Sequence, residues 1–197
     1  MKFAMIGKIA GALALTLSLA GCFDMTMDLK VTSDTTAEAT VTQVMGSDIY
    51  AMIKSAGDQP DADKFCGKEG ETLTENADGS ATCVSKSSGA FSGLKFDDED
   101  SKPTFTVVSP GVVRVAVKTE GMAGELGKEQ DPQTAEMMKQ MFEGHFLTIR
   151  FGGKEVTESN MTISADKTNA EIKIPFLDLI NGTAKLPDEL YAVVKTN

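Results

Sequence analysis

The sequence predicts an α+β domain: a mainly antiparallel sheet of hairpins with two or three short helices. Three observations carry this. Apolar and polar residues alternate with period two in many short segments, as in Met25, Met27, Leu29 and Val31 against Thr26, Asp28 and Lys30. Turn residues separate those segments at hairpin spacing, with Ser109-Pro110-Gly111 set between two β-branched runs. Spacing of three and four residues between apolar side chains is confined to brief stretches, so antiparallel hairpins outnumber any βαβ pattern.

In chain order, the first element is a leader. Lys2 and Lys8 precede the apolar run Ile9–Leu19, and Ala20-Gly21 supply the small side chains that a signal peptidase requires. The run is short of the roughly 20 apolar residues a spanning helix needs. The following Cys22 completes "LAGC", which resembles the lipobox of bacterial lipoproteins. That resemblance implies that residues 1–21 are removed as a signal peptide and that Cys22 becomes the first residue, carrying acyl chains. Two or three such chains anchor a protein stably without any span. In bacterial lipoproteins an aspartate directly after the cysteine resembles an inner-membrane retention signal. Here Phe23 comes first and Asp24 second, which favours an outer membrane, facing the periplasm, over the inner one.

The body, residues 22–197, reads as one domain. Met25–Val31 and Ala37–Val41 form a hairpin around Ser33-Asp34-Thr35-Thr36. Ser47 is a helix N-cap for Asp48–Ser55, and Gly57 stops that helix. Residues 58–102 are rich in Gly, Asp, Ser and Glu and offer only Glu71–Glu75 and Ala81–Lys86 as strands. Thr104–Val108 and Val112–Val117 make the clearest hairpin. Asp131-Pro132 begins a helix with an apolar stripe of Ala135, Met138, Met141 and Phe142, ending at Gly144. Phe146–Phe151, Asn160–Ala165 and Glu171–Pro175 are strands, Phe176–Ile180 is a helical turn, and Leu190–Lys195 is the last strand.

Composition narrows the function. The formal charge is −10, and −12 once the leader takes Lys2 and Lys8 with it. A field of that sign opposes binding to nucleic acid and to anionic headgroups. The core must rely on ten Phe and eleven Met, since Trp is absent. Beyond Cys22 only Cys66 and Cys83 remain, an even pair in an exported chain, and a disulfide is expected between them. It would staple an insertion at about residues 58–90. Zinc is the weaker alternative, because His145 is the one histidine and four ligands are hard to assemble.

Each catalytic template lacks a part. One histidine leaves little scope for an oriented nucleophile, and His145 stands where a helix meets a strand. Gly152-Gly153-Lys154 is followed by Glu155, and Thr148 occupies the position of a P-loop's first glycine. Ser164-Ala165-Asp166-Lys167 has the S-x-x-K spacing but falls on a strand end and turn, without the partner motifs of penicillin-interacting enzymes. The acidic stretches "DQPDADK" and "FDDEDSK" read as solvated faces, with a weak divalent-ion site left open. The sequence thus implies no catalytic residue, no metal ligand and no cofactor, and it assigns no ligand-binding residue.

The strand directly after Cys22, the "SDTTAEATV" hairpin, the helix "GSDIYAMI", the hairpin "VVSPGVVRVAV" and the tail "IRFGGKEVTESN" through "DKTNAEIKIPF" together resemble the mycobacterial LppM-type envelope lipoproteins. The resemblance implies a curved, largely antiparallel sheet and a role in binding envelope glycolipid without catalysis. Two departures accompany it: the cysteine-stapled segment looks inserted, and the C-terminal transmembrane helix of the mycobacterial proteins has no counterpart before "ELYAVVKTN". Three function classes are therefore expected, in this order: an envelope lipoprotein that binds lipid or glycolipid, an assembly partner docking an envelope protein through a sheet edge, and a cell-wall hydrolase. A lipid binder needs an apolar cavity, for which Met137, Met138, Met141, Phe142 and Phe146 are the candidate lining.

Overall fold

The computed structural model describes residues 23–55, 65–94, 96, 102–120, 122, 136, 139 and 141–196. Residues 1–21, expected to be a leader, and Cys22, the acidic stretches at 58–64 and 97–101, and most of the helix expected after Pro132, with Met137 and Met138, lie outside the described residues.

The chain opens with β1 (Phe23–Val31) and β2 (Thr36–Met45), paired antiparallel along their whole length from Phe23 opposite Met45 to Val31 opposite Ala37. Helix α1 (Ser47–Ser55) leads to β3 (Glu71–Glu75) and β4 (Ala81–Ala90). A second hairpin, β5 (Thr104–Ser109) and β6 (Val112–Lys118), turns on Pro110-Gly111, with Gly111 at φ +77°. Then follow β7 (Phe146–Gly152), β8 (Glu155–Ser159), β9 (Thr162–Ile163), β10 (Asn169–Pro175), α2 (Phe176–Ile180) and β11 (Glu189–Lys195). Pro175, which has no N–H for a ladder, is the last residue of β10.

These strands form two sheets, one of seven strands in the order β3-β4-β2-β1-β7-β10-β9 and one of four in the order β5-β6-β11-β8. The expected α+β class is thus corrected to a mostly β fold of two sheets with few helical residues. Orientation is mixed, because β1 and β7 at the centre of the large sheet run parallel, Met25 beside Leu147 and Leu29 beside Phe151. Two features explain the difference. The polar segment, expected to offer only the short strand Ala81–Lys86, supplies a ten-residue strand, β4, which pairs with every residue of β2 while burying only Ala81 and Cys83. Backbone hydrogen bonds sustain such a strand with little apolar pattern to reveal it. Strand β8 buries only Val156, so its charged sequence carries no alternation either.

Alternate residues of both sheets meet in one core. The large sheet contributes Leu29, Val31, Ala37, Ala39, Ile149, Phe151 and Ala170, and the small sheet Val113, Val115, Val117, Val156, Leu190, Ala192 and Val194. Gly153 sits where the sheets join. A Cβ there would stand 2.2 Å from Val194 Cγ1, 3.1 Å from the Lys195 carbonyl and 3.2 Å from that of Val31. The contacts come from β1 and β11, so the methyl group has no direction in which to move. We expect Gly153→Ala to destabilise the fold by roughly 2 kcal/mol, as overpacking does. Urea unfolding measures it, and a midpoint equal to that of the unaltered protein would show that the sheets are not in contact there.

Candidate functional site

The seven-stranded sheet has two chemically distinct faces. Odd-numbered residues of β1 share one face with Val41 of β2, Leu147 of β7 and Ile172 of β10; this face is apolar across β1, β7 and β10, while on β2 and β4 it also carries Gln43, Ser85 and Ser87. At the Leu29–Val31 end it is fully buried in the core. Towards the start of β1 the cover thins: Phe23, Met25, Met27, Leu147 and Ile172 pack against the core but are only partly buried.

At the start of β1 three rings gather. Phe23 meets Phe142 edge-on at 6.2 Å and Phe176 at 5.6 Å, and Phe142 and Phe176 are 5.3 Å apart. Such pairs add about 0.5–1.5 kcal/mol each beyond the area they bury. They tie α2 and the helical residue Phe142 to the first residue of β1. Asp24 is clamped beside them: it accepts a hydrogen bond from the Phe146 N–H at 2.9 Å, and His145 Nδ1 is 3.2 Å from its other oxygen. His145 is buried, and its carbonyl accepts from the Phe176 N–H at 3.0 Å. It is thus a junction residue linking β7, α2 and β1.

The candidate lining residues are therefore divided. Met141 and Phe142 are half-buried near Phe23, whereas Phe146 lies on the other face of the sheet and is 38% exposed. What sequence reasoning missed is the half-covered row of Met25, Met27, Val41, Leu147 and Ile172. Their alternation marked a buried face, but only the register shows that four strands bring these residues together.

The opposite face is polar. Arg150 on β7 lies between Asp28 on β1 and Glu171 on β10, with Nη1 3.1 Å from the Asp28 carboxylate and Nε 3.1 Å from that of Glu171. The Glu171 hydrogen bonds, followed by that of Asp28, raise the Arg150 pKa beyond its ordinary value. An open groove of about 430 Å³ runs past Asp28 and Arg150, lined also by Lys30, Gly152, Gly153, Thr168 and Asn169. Cross-strand pairing holds the Arg150 charge in place, which fits a solvent-facing ladder.

The remaining sequence candidates are placed as follows. Cys66 and Cys83 form a disulfide with Cα atoms 5.4 Å apart, and Glu71 lies beside it. Ser164–Lys167 form a turn, in which the Ser164 hydroxyl donates to Asp166 at 2.6 Å and Lys167 adopts φ +59°. Cys22 lies outside the described residues. No helix among the described residues is long and apolar enough to cross a membrane.

No protein-family model matches the chain, and no curated protein matches it. Among solved structures it is similar to the folded domain of the Mycobacterium tuberculosis protein LppM, determined by NMR. The match covers 89% of this chain and 91% of that one, at 9% identity and a TM-score of 0.43. At that score the likeness carries no inference about function.

Proposed function

We propose that this chain is a lipid-anchored protein of a bacterial cell envelope with a noncatalytic binding role. One observation carries the reading: β1, a central strand of the large sheet, opens at Phe23, directly after the cysteine of "LAGC". The leader motif ends where the sheet begins, so an acyl group on Cys22 would be attached to the body with no stalk between. Mass spectrometry of the protein purified from membranes tests this, with acyl chains on an N-terminal Cys22 as the expected result. An unmodified Cys22 or an uncut Met1 would overturn it.

The sharper form of the proposal is that the body binds a lipid or glycolipid on the half-covered apolar face, with Met25, Met27, Val41, Leu147 and Ile172 as its floor and Met141 and Phe142 at its edge. Methionine suits this task, because an unbranched, polarisable side chain adapts to acyl chains of differing shape. Native mass spectrometry of the body isolated from the envelope under mild conditions should find lipid bound. A second reading is favoured by β5, an edge strand with no charged residue, whose Val107 and Val108 are 50% and 59% exposed. An open, uncharged edge accepts a further strand, as assembly partners do. A body free of lipid that captures a defined envelope protein would establish that reading instead.

A further inference from the structure

Six large apolar side chains are exposed among the described residues: Met52, Ile53, Leu73, Val107, Val108 and Phe146. Four of them surround one end of the large sheet. The register sets Glu75, Ala81, Met45 and Phe23 in a single row across β3, β4, β2 and β1, and Leu73 lies in the row of Met25 and Leu147. Helix α1 starts two residues after Met45, so it belongs to the same end, and Phe146 opens β7 beside Asp24. Val107 and Val108 lie at the far end, where the Gly111 N–H donates to Asp34 in the β1–β2 turn.

Helix α1 makes the clustering harder to dismiss as ordinary surface. It buries none of its residues, and Met52 is 59% exposed. Its attachment to β3 is polar, Tyr50 and Lys54 both donating to Glu75 at 2.7 Å, and the Tyr50 ring also meets Phe65 edge-on at 6.2 Å. The helix is thus tied to β3 by polar groups while Met52 and Ile53 are exposed and Ile49 stays half-buried. An amphipathic helix arranged in this way suits the boundary between headgroups and acyl chains.

We propose that this rim is a membrane seat, which Met52, Ile53, Leu73 and Phe146 press into the leaflet holding the Cys22 acyl chains. The inference rests on the anchoring reading above. Chain continuity selects the bilayer as occupant: Phe23 lies at the centre of the rim and is joined directly to Cys22. A tether that short keeps the effective concentration of membrane at the rim high, so weak contacts suffice. At this end the Lys54 charge is paired with Glu75 within the protein, so the helix presents no free cation that would demand an anionic surface.

The absence of Trp makes the test direct. Three single-Trp variants of the full chain, Met52→Trp, Phe146→Trp and, as reference, Val108→Trp, are produced in a lipoprotein-processing host and reconstituted in phosphatidylcholine vesicles with and without brominated acyl chains. Blue-shifted emission and quenching are expected for the first two and neither for the third. Met52 is exposed, so its variant remains informative if Phe146→Trp fails to fold. The mass of Cys22 in the same samples separates the two hypotheses. Acylated protein with Met52→Trp quenched no more than Val108→Trp overturns the seat and leaves the anchor standing. Quenching without acylation supports the seat and removes the anchor, and neither signal removes both. A blue shift that grows with protein concentration in the absence of vesicles would assign the rim to a second copy of the chain and overturn the proposal.

Discussion

Replacing Phe151 by alanine should destabilise the protein by about 3–5 kcal/mol, the range for deleting a fully buried aromatic ring. Phe151 is 0% exposed and is among the largest completely buried side chains. On β7 it lies between Leu29 of β1 and Ala170 of β10, on the face that meets the small sheet. Neither neighbouring strand can collapse into the vacated space without breaking a ladder, so the cavity term stays large. Phe146 is the matched control, the same residue type on the same strand but on the other face and 38% exposed. Phe146→Ala should cost at most about 0.5 kcal/mol, as surface substitutions do. Urea unfolding midpoints at a common slope measure both, and equal losses would contradict the two-sheet packing.

Removing the Cys66–Cys83 bridge should cost about 3 kcal/mol in the chain-entropy model, given a sequence separation of 17. The bridge joins the segment before β3 to the third residue of β4, at the outer edge of the large sheet. Strand β3 buries none of its residues, so packing offers little to replace the link. The double variant Cys66→Ser, Cys83→Ala should unfold at a lower denaturant concentration and be indifferent to reductant, whereas reductant should destabilise the unaltered protein. Alkylation of folded, unreduced protein should label neither thiol. A midpoint that reductant leaves in place would show that the bridge contributes nothing to the fold.

Much of the local structure was legible from the chain. The β1–β2 and β5–β6 hairpins follow from period-two alternation around turn residues, and β7, β10, α2 and β11 fall within a few residues of where periodicity puts them. Strand β8 was not legible: Glu155-Val156-Thr157-Glu158-Ser159 has one buried residue, and its pairing with β11 supplies the rest. The length of β4 was hidden in the same way, behind a Ser-, Lys- and Gly-containing second half that buries no residue.

The candidate site divides along the same line. Sequence alone determined the N-terminal apolar run and "LAGC" pattern, the acidic balance, the even cysteine pair and the faces of the individual strands, because each is written in adjacent residues or in their count. Only the tertiary structure decided that the strands form two sheets, that β1 and β7 run parallel, that the apolar face of the large sheet is half covered, and that Met52, Ile53, Leu73 and Phe146 lie at the same end of the large sheet as Phe23. Those outcomes depend on register between segments more than a hundred residues apart, as with Asp24 and the Phe146 N–H at a separation of 122. A one-residue slip would move every side chain of a strand to the other face, and only packing of the complete core selects against it.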